Sequence, residues 1–273
     1  MKPLVVPVNF SPSSSCAARY AADLGEALQV EVHLIHVIDT TYTSTDMAMT
    51  QELYNTMVDS AKDLLKKMQA DLVQRTHNKI TVHTLVEVGT IFGQIKEHCD
   101  RLQPIAVILG ATGPTWEKFL IGSPVGSLLR LPYPVLVVPE NTSFQKFRHI
   151  ALACDGNDLD SGLLHSIGLL KEFRQRFRAQ IDIITVGDWK TWKGESFHLL
   201  SQAWKARLKD LDPEIHQIQE SRVEEGLLGY LAEHPADLVV VFPKKHRIAE
   251  FHTSQSRKFA KHSDIPVLSL HES

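Results

Sequence analysis

The chain has 273 residues, 43% of them hydrophobic and 22% charged, with a formal net charge of -3 at pH 7. That length suits two domains of roughly 100–200 residues, in a composition ordinary for a globular protein with no general attraction to nucleic acid. No stretch is apolar for long enough to cross a bilayer, residues 1–15 are too broken by Pro7 for a signal segment, and Cys16, Cys99 and Cys154 are few and far apart, so the expectation is a cytoplasmic protein with reduced thiols and no membrane partner.

In chain order, the first predicted element is a buried strand over 4–8, followed by the turn Asn9-Phe10-Ser11-Pro12. Ser13 or Ser14 can cap a helix that runs through Ala17, Ala18, Ala21, Ala22 and Leu24 and ends near Gly25 or Leu28. A second strand is predicted over 30–38, then a polar loop over 39–48. Residues 51–75 carry Leu53, Met57, Ala61, Leu64, Leu65, Met68 and Leu72 at helical spacing. A strand over 80–88 and a helix over 90–102, with Ile91, Ile95 and Cys99 on one face, complete this part.

The next stretch, 104–139, concentrates the chemistry. Residues 105–109 are an unbroken apolar run closed by Gly110, the pattern of a strand buried on both faces. Gly110 and Gly113 bracket a tight turn where backbone can approach a ligand closely. Gly122, Ser123 and Pro124 precede a segment over 125–131 that reads as helical, and 135–138 is the next strand. A helix start preceded by glycine offers free N–H groups and a positive dipole end, so one reading is a phosphate cradle. The other is an ordinary strand-turn-helix whose glycines serve its turns.

After a polar segment over 141–146 the pattern restarts, with strands predicted over 150–154, 181–186, 215–218, 238–242 and 267–270 and helices over 161–173, 197–208, 224–232 and 256–261. The restart is a repeat. A shift of 132 overlays residues 104–110 on 236–242 and residues 133–140 on 265–272 without a gap, and 4–9 overlays 150–155. Two domains follow, 1–141 and 147–273. The overlay places Phe242, Lys245, Ser254 and Gln255 where the first half has Gly110, Gly113, Gly122 and Ser123. The second half has lost the glycine set, so any nucleotide belongs to the first.

With these residues in place the chain resembles the universal stress protein family in its tandem form. The resemblance rests on 5–25 and on the strand-two segment Leu34-Ile35-His36-Val37. It rests also on 86–95, on the glycines and Pro139-ending strand of 110–139, and on 149–158 and 259–271 of the second half. It implies an α/β fold of two tandem open five-stranded parallel sheets, order 3-2-1-4-5, flanked by helices, Rossmann-like. In ATP-binding members an Asp ends strand one and a Gly-x2-Gly-x9-Gly-Ser/Thr pattern follows strand four. Carried over, Gly110, Gly113, Gly122 and Ser123 would hold the phosphates of ATP, with Mg, Asn9, Phe10 and the backbone near Val37 would lie near the sugar and base, and Ser11, Ala111, Thr112, Pro124 and Val125 would complete the nucleotide-binding set. Two departures stand out. Only eight residues, 114–121, separate Gly113 from Gly122, and Asn9 stands where the family has Asp. Asn keeps an acceptor oxygen, adds a donor and removes a charge.

The expected function is adenine-nucleotide binding by the first domain, as a stress sensor or regulator, with no catalytic residue and at most slow ATP hydrolysis. The alternative is a scaffold for a protein or another small molecule. The resemblance also implies that the two domains pair within the chain, with 135–138 and 267–270 as the candidate contact, as single-domain members of the family pair into dimers, and a homodimer is a further arrangement it allows. No metal site is expected. His33 and His36 are three apart on one strand and point to opposite faces. The acidic loop Asp155, Asn157, Asp158 and Asp160 lacks the glycine and glutamate of a calcium loop. Lys244, Lys245, His246 and Arg247 read as a solvated loop, Cys16 and Cys99 as inert inward-facing thiols, and Trp189, Trp192 and Trp204 as core or pairing surface.

Overall fold

A computed structural model describes residues 2–39, 51–111, 126–154, 167–187, 194–220, 223–241 and 265–270. The described chain divides into two compact units, one ending at Phe144 and the other beginning at Gln145.

The first unit alternates strand and helix. It comprises β1 (Leu4–Pro7), α1 (Pro12–Leu28), β2 (Val32–Asp39), α2 (Gln51–Arg75), β3 (Val82–Gly89), α3 (Ile91–Leu102), β4 (Ala106–Ala111), a 3-10 turn (Gly126–Arg130) and β5 (Val135–Pro139). All these strand pairs are parallel and the order is β3-β2-β1-β4-β5, the order that the family resemblance implies. The pleat sorts the residues between two faces. Val5, Ile35, Val107, Leu109, Val135 and Val137 pack with Ile95 and Cys99 of α3 and with Leu128, Leu129 and Leu131. The alternate residues Leu4, Val6, Leu34, Ile108 and Leu136 are also buried, and their face meets α1. There the small side chains of Ala17, Ala18, Ala21 and Ala22 are buried and let the helix lie close. A Cβ on Gly25 would come within 3.1 Å of Val32 and 3.2 Å of the Val30 carbonyl.

Helix ends follow from side-chain chemistry. Ser11 caps α1 by accepting from the Ser14 N–H, with Pro12 in the first turn, and Thr90 caps α3 by accepting from the Gly93 N–H. The expected helix over 125–131 is described only as the 3-10 turn Gly126–Arg130, and the Leu131 N–H donates to the Leu128 carbonyl three residues back. Pro132 explains the stop. Its ring disfavours helical geometry at Leu131 and removes the next N–H.

The second unit contains β6 (His149–Cys154), α4 (Gly168–Phe177), β7 (Gln180–Gly187), α5 (Gly194–Arg207), β8 (Glu214–Gln219), α6 (Val223–Glu233), β9 (Leu238–Val241) and β10 (Val267–Ser269). Its strands are parallel in the order β8-β7-β6-β9-β10, the same winding as in the first unit. Ala151, Ile184, Val239 and Val267 pack with Leu227, Tyr230 and Leu231 of α6, and Trp204 of α5 is buried. The expected helix over 256–261, Trp189 and Trp192, and the residues of the acidic and basic loops lie outside the described residues, apart from the edges of those segments.

Candidate functional site

In the first unit β1 pairs with β2 on one side and β4 on the other. The chain winds outward in both directions from this pair, so a crevice opens beyond the C-terminal ends of β1 and β4, where open α/β sheets bind ligands. Asn9, Phe10 and Ser11 form one lip and Gly110 and Ala111 the other.

The first lip is a built turn. The Asn9 Oδ1 accepts from the Ser11 backbone N–H at 3.2 Å and from the Ser11 hydroxyl at 2.7 Å. Its side-chain oxygen is therefore engaged locally, and among the described residues its amide donors have no partner. Phe10 sits at φ 61, the left-handed region, which non-glycine residues rarely enter. Its ring lies against that of His36, with centroids 4.6 Å apart. His36 in turn is fixed by its Nδ1 on the Val8 carbonyl at 2.8 Å; because a carbonyl only accepts, Nδ1 carries the proton. Val37 is half-buried and packs, with Ala111, against the α3-side core.

The second lip explains its glycine. A Cβ on Gly110 would lie 2.0 Å from the Ser13 carbonyl oxygen and 2.8 Å from the Ser14 nitrogen. The first turn of α1 thus lies directly on β4, and Gly110 is required by that approach of backbone to backbone. The same packing brings the positive end of α1 to the crevice. Thr112, Gly113, Gly122, Ser123, Pro124 and Val125 lie outside the described residues.

Two side-chain clusters escaped the sequence reading. Glu31, His33 and His83 bring three donor atoms within 4.8 Å of one another, and so do Asp182, Glu214 and His216. His33 and His36 do diverge, as the pleat requires. His33 instead meets His83, fifty residues on, because the parallel register pairs them. A test of spacing within one strand could not find a partner supplied by the next.

Three further polar features lie within the packing of the first unit. Cys99 is fully buried, and burial pushes its thiol up to about 12, with the charge of Asp100 adding to the effect. Cys16, also buried, donates to the Thr142 carbonyl at 3.2 Å. Arg75 holds Asp23 through two hydrogen bonds of 2.7 Å, joining α2 to α1.

Comparison with known proteins gives a consistent picture. Residues 1–139 match the family model of the universal stress protein family. A universal stress protein of Methanocaldococcus jannaschii is 26% identical over 141 residues, which cover 50% of this chain and 81% of that one. Among solved structures, a universal stress protein from Archaeoglobus fulgidus superposes with a TM-score of 0.76 at 16% identity, covering 100% of this chain and 99% of the other. A functionally unknown protein from Pseudomonas aeruginosa superposes with a TM-score of 0.57 at 15% identity, covering 100% and 93%. At these identities the structural matches speak for the fold, here across the full tandem length.

Proposed function

Because this chain belongs to the universal stress protein family, we propose that its first unit binds an adenine nucleotide, ATP with Mg, and acts as a nucleotide-responsive regulator rather than as an efficient enzyme. The observation that carries the reading is the reversal of strand order between β1 and β4, beside the N-terminus of α1. Asn9 offers two amide donors there and the Phe10 ring a flat apolar face. Those donors suit a ribose or phosphate oxygen, and the ring suits a base. Gly113, Gly122 and Ser123 are the phosphate-side residues of the same proposal, carried by the family pattern in the sequence.

The protein is purified and its bound small molecules identified by mass spectrometry, followed by titration calorimetry with ATP and AMP. The expected result is one ATP per chain, lost in Gly113→Val and kept in Lys245→Ala. No binding at millimolar ATP overturns the reading. A specific pair of observations favours a second reading, a scaffold for a protein or other ligand. Gly110 is already accounted for by the Ser13 backbone, and the Asn9 oxygen by Ser11. Absence of nucleotide in both assays is its expected signature.

A further inference from the structure

We propose that Glu31, His33 and His83 form a binding site for a divalent transition-metal ion of the zinc class, at the end of β2 and β3 opposite the crevice. The backbone assembles it. Glu31 and His33 are two apart on an extended segment and share a face. His33 and His83 are register partners on adjacent parallel strands, which stand roughly 4.8 Å apart. All three side chains therefore meet over one patch of the sheet.

The distances suit an ion better than they suit the bonds the residues make with each other. The His83 Nε2 is 3.3 Å and the His33 Nε2 3.8 Å from the same oxygen, Glu31 Oε2. The longer separation is beyond a hydrogen bond. Ligands held tetrahedrally at about 2.0–2.1 Å from zinc lie roughly 3.3–3.5 Å from one another, so small side-chain shifts close the shell. The two imidazole rings are 4.5 Å apart and tilted by 34°, a separation at which two imidazolium charges repel. Two imidazoles and one carboxylate are the ligand set of an open zinc site. Cobalt, nickel and copper accept the same donors, whereas calcium and magnesium prefer oxygen. Glu31 is half-exposed, with 53% of its side chain accessible, and provides an entry path.

The second unit has a related cluster at the corresponding place. His33 pairs with Val5 as Asp182 pairs with Ala151, and Val5 overlays Ala151 in the repeat. There Glu214, His216 and Asp182 converge. The His216 Nε2 is 3.8 Å from both carboxylates, with no hydrogen-bond partner among the described residues. Its two carboxylates and single imidazole make a harder, less zinc-like set, and the experiment must separate it from the first.

Full-length protein stripped with chelator is titrated with Co2+, followed by visible absorption, and the bound cobalt is then displaced with Zn2+. The titration is repeated on Glu31→Gln, His33→Ala, His83→Ala, His83→Gln and His216→Ala, with circular dichroism melts to confirm folding. The expected result is a ligand-field band whose cobalt affinity falls more than about tenfold in each folded first-unit variant, at least the loss that outer partners of metal ligands cause, and persists in His216→Ala. The proposal is overturned if no band develops, if the folded His83 variants bind as wild type, or if only His216→Ala removes the band.

Discussion

Gly110 shows how one residue can carry two readings with different tests. Its place after a buried strand suggested a ligand cradle, yet a Cβ there would collide with the Ser13 carbonyl at 2.0 Å. Gly110→Val is therefore expected to destabilise the protein by about 1–3 kcal/mol, the usual range for overpacking. Urea unfolding without nucleotide measures it, and a wild-type midpoint would refute the packing role. Asn9 separates from Gly110 in the same experiment. Asn9→Asp leaves the turn's acceptor oxygen in place but replaces two donors with a charge, so stability should stay within about 0.5 kcal/mol of wild type while ATP affinity changes. Cys99 supplies a pH test. Its folded thiol is raised from an ordinary 9.0 to about 12, so between those values the folded state keeps a proton that the unfolded state releases. Stability then falls as pH rises through that window. The slope should be shallower in Cys99→Ala when unfolding free energies are compared from pH 8.5 to 11.

Elements were legible where pattern and chemistry agreed. The helix over 51–75 coincides with α2 because its apolar spacing is regular, and Leu65 and Leu72 are buried as that stripe requires. Leu53 and Leu64 belong to the same stripe but remain exposed, since periodicity gives a direction and not the extent of the partner surface. The segment over 125–131 misled because its apolar residues fit a helix, while Pro132 limits what the backbone can do. Asn9 and Gly110 lie near the C-terminal ends of β1 and β4, where the family resemblance placed them. The histidine cluster was not legible, because strand register is a tertiary property with no mark in local sequence. Capping offers a check at this scale. Ser11→Ala removes the acceptor for the Ser14 N–H and should cost about 1 kcal/mol, read as a lower urea midpoint. Thr90→Ala at α3 should behave alike.

At the scale of the molecule, a single α/β pattern has been written twice and then edited differently. Both units keep the winding order and both place metal-capable side chains on the second and third strands of their own sheets, but the glycine set remains in one sequence half alone. One nucleotide per chain is the corresponding prediction, and two per chain by calorimetry would contradict it. Helix ends carry a further feature. Helices α1 and α4 each end in a left-handed residue that is not glycine, Gln29 at φ 59 and Arg178 at φ 55. Such a residue carries about 1–2 kcal/mol of steric conflict between Cβ and backbone, and glycine is the usual occupant of the position. Gln29→Gly and Arg178→Gly thus mark two places where heat tolerance can be raised by deleting atoms, leaving the crevice and the histidines untouched.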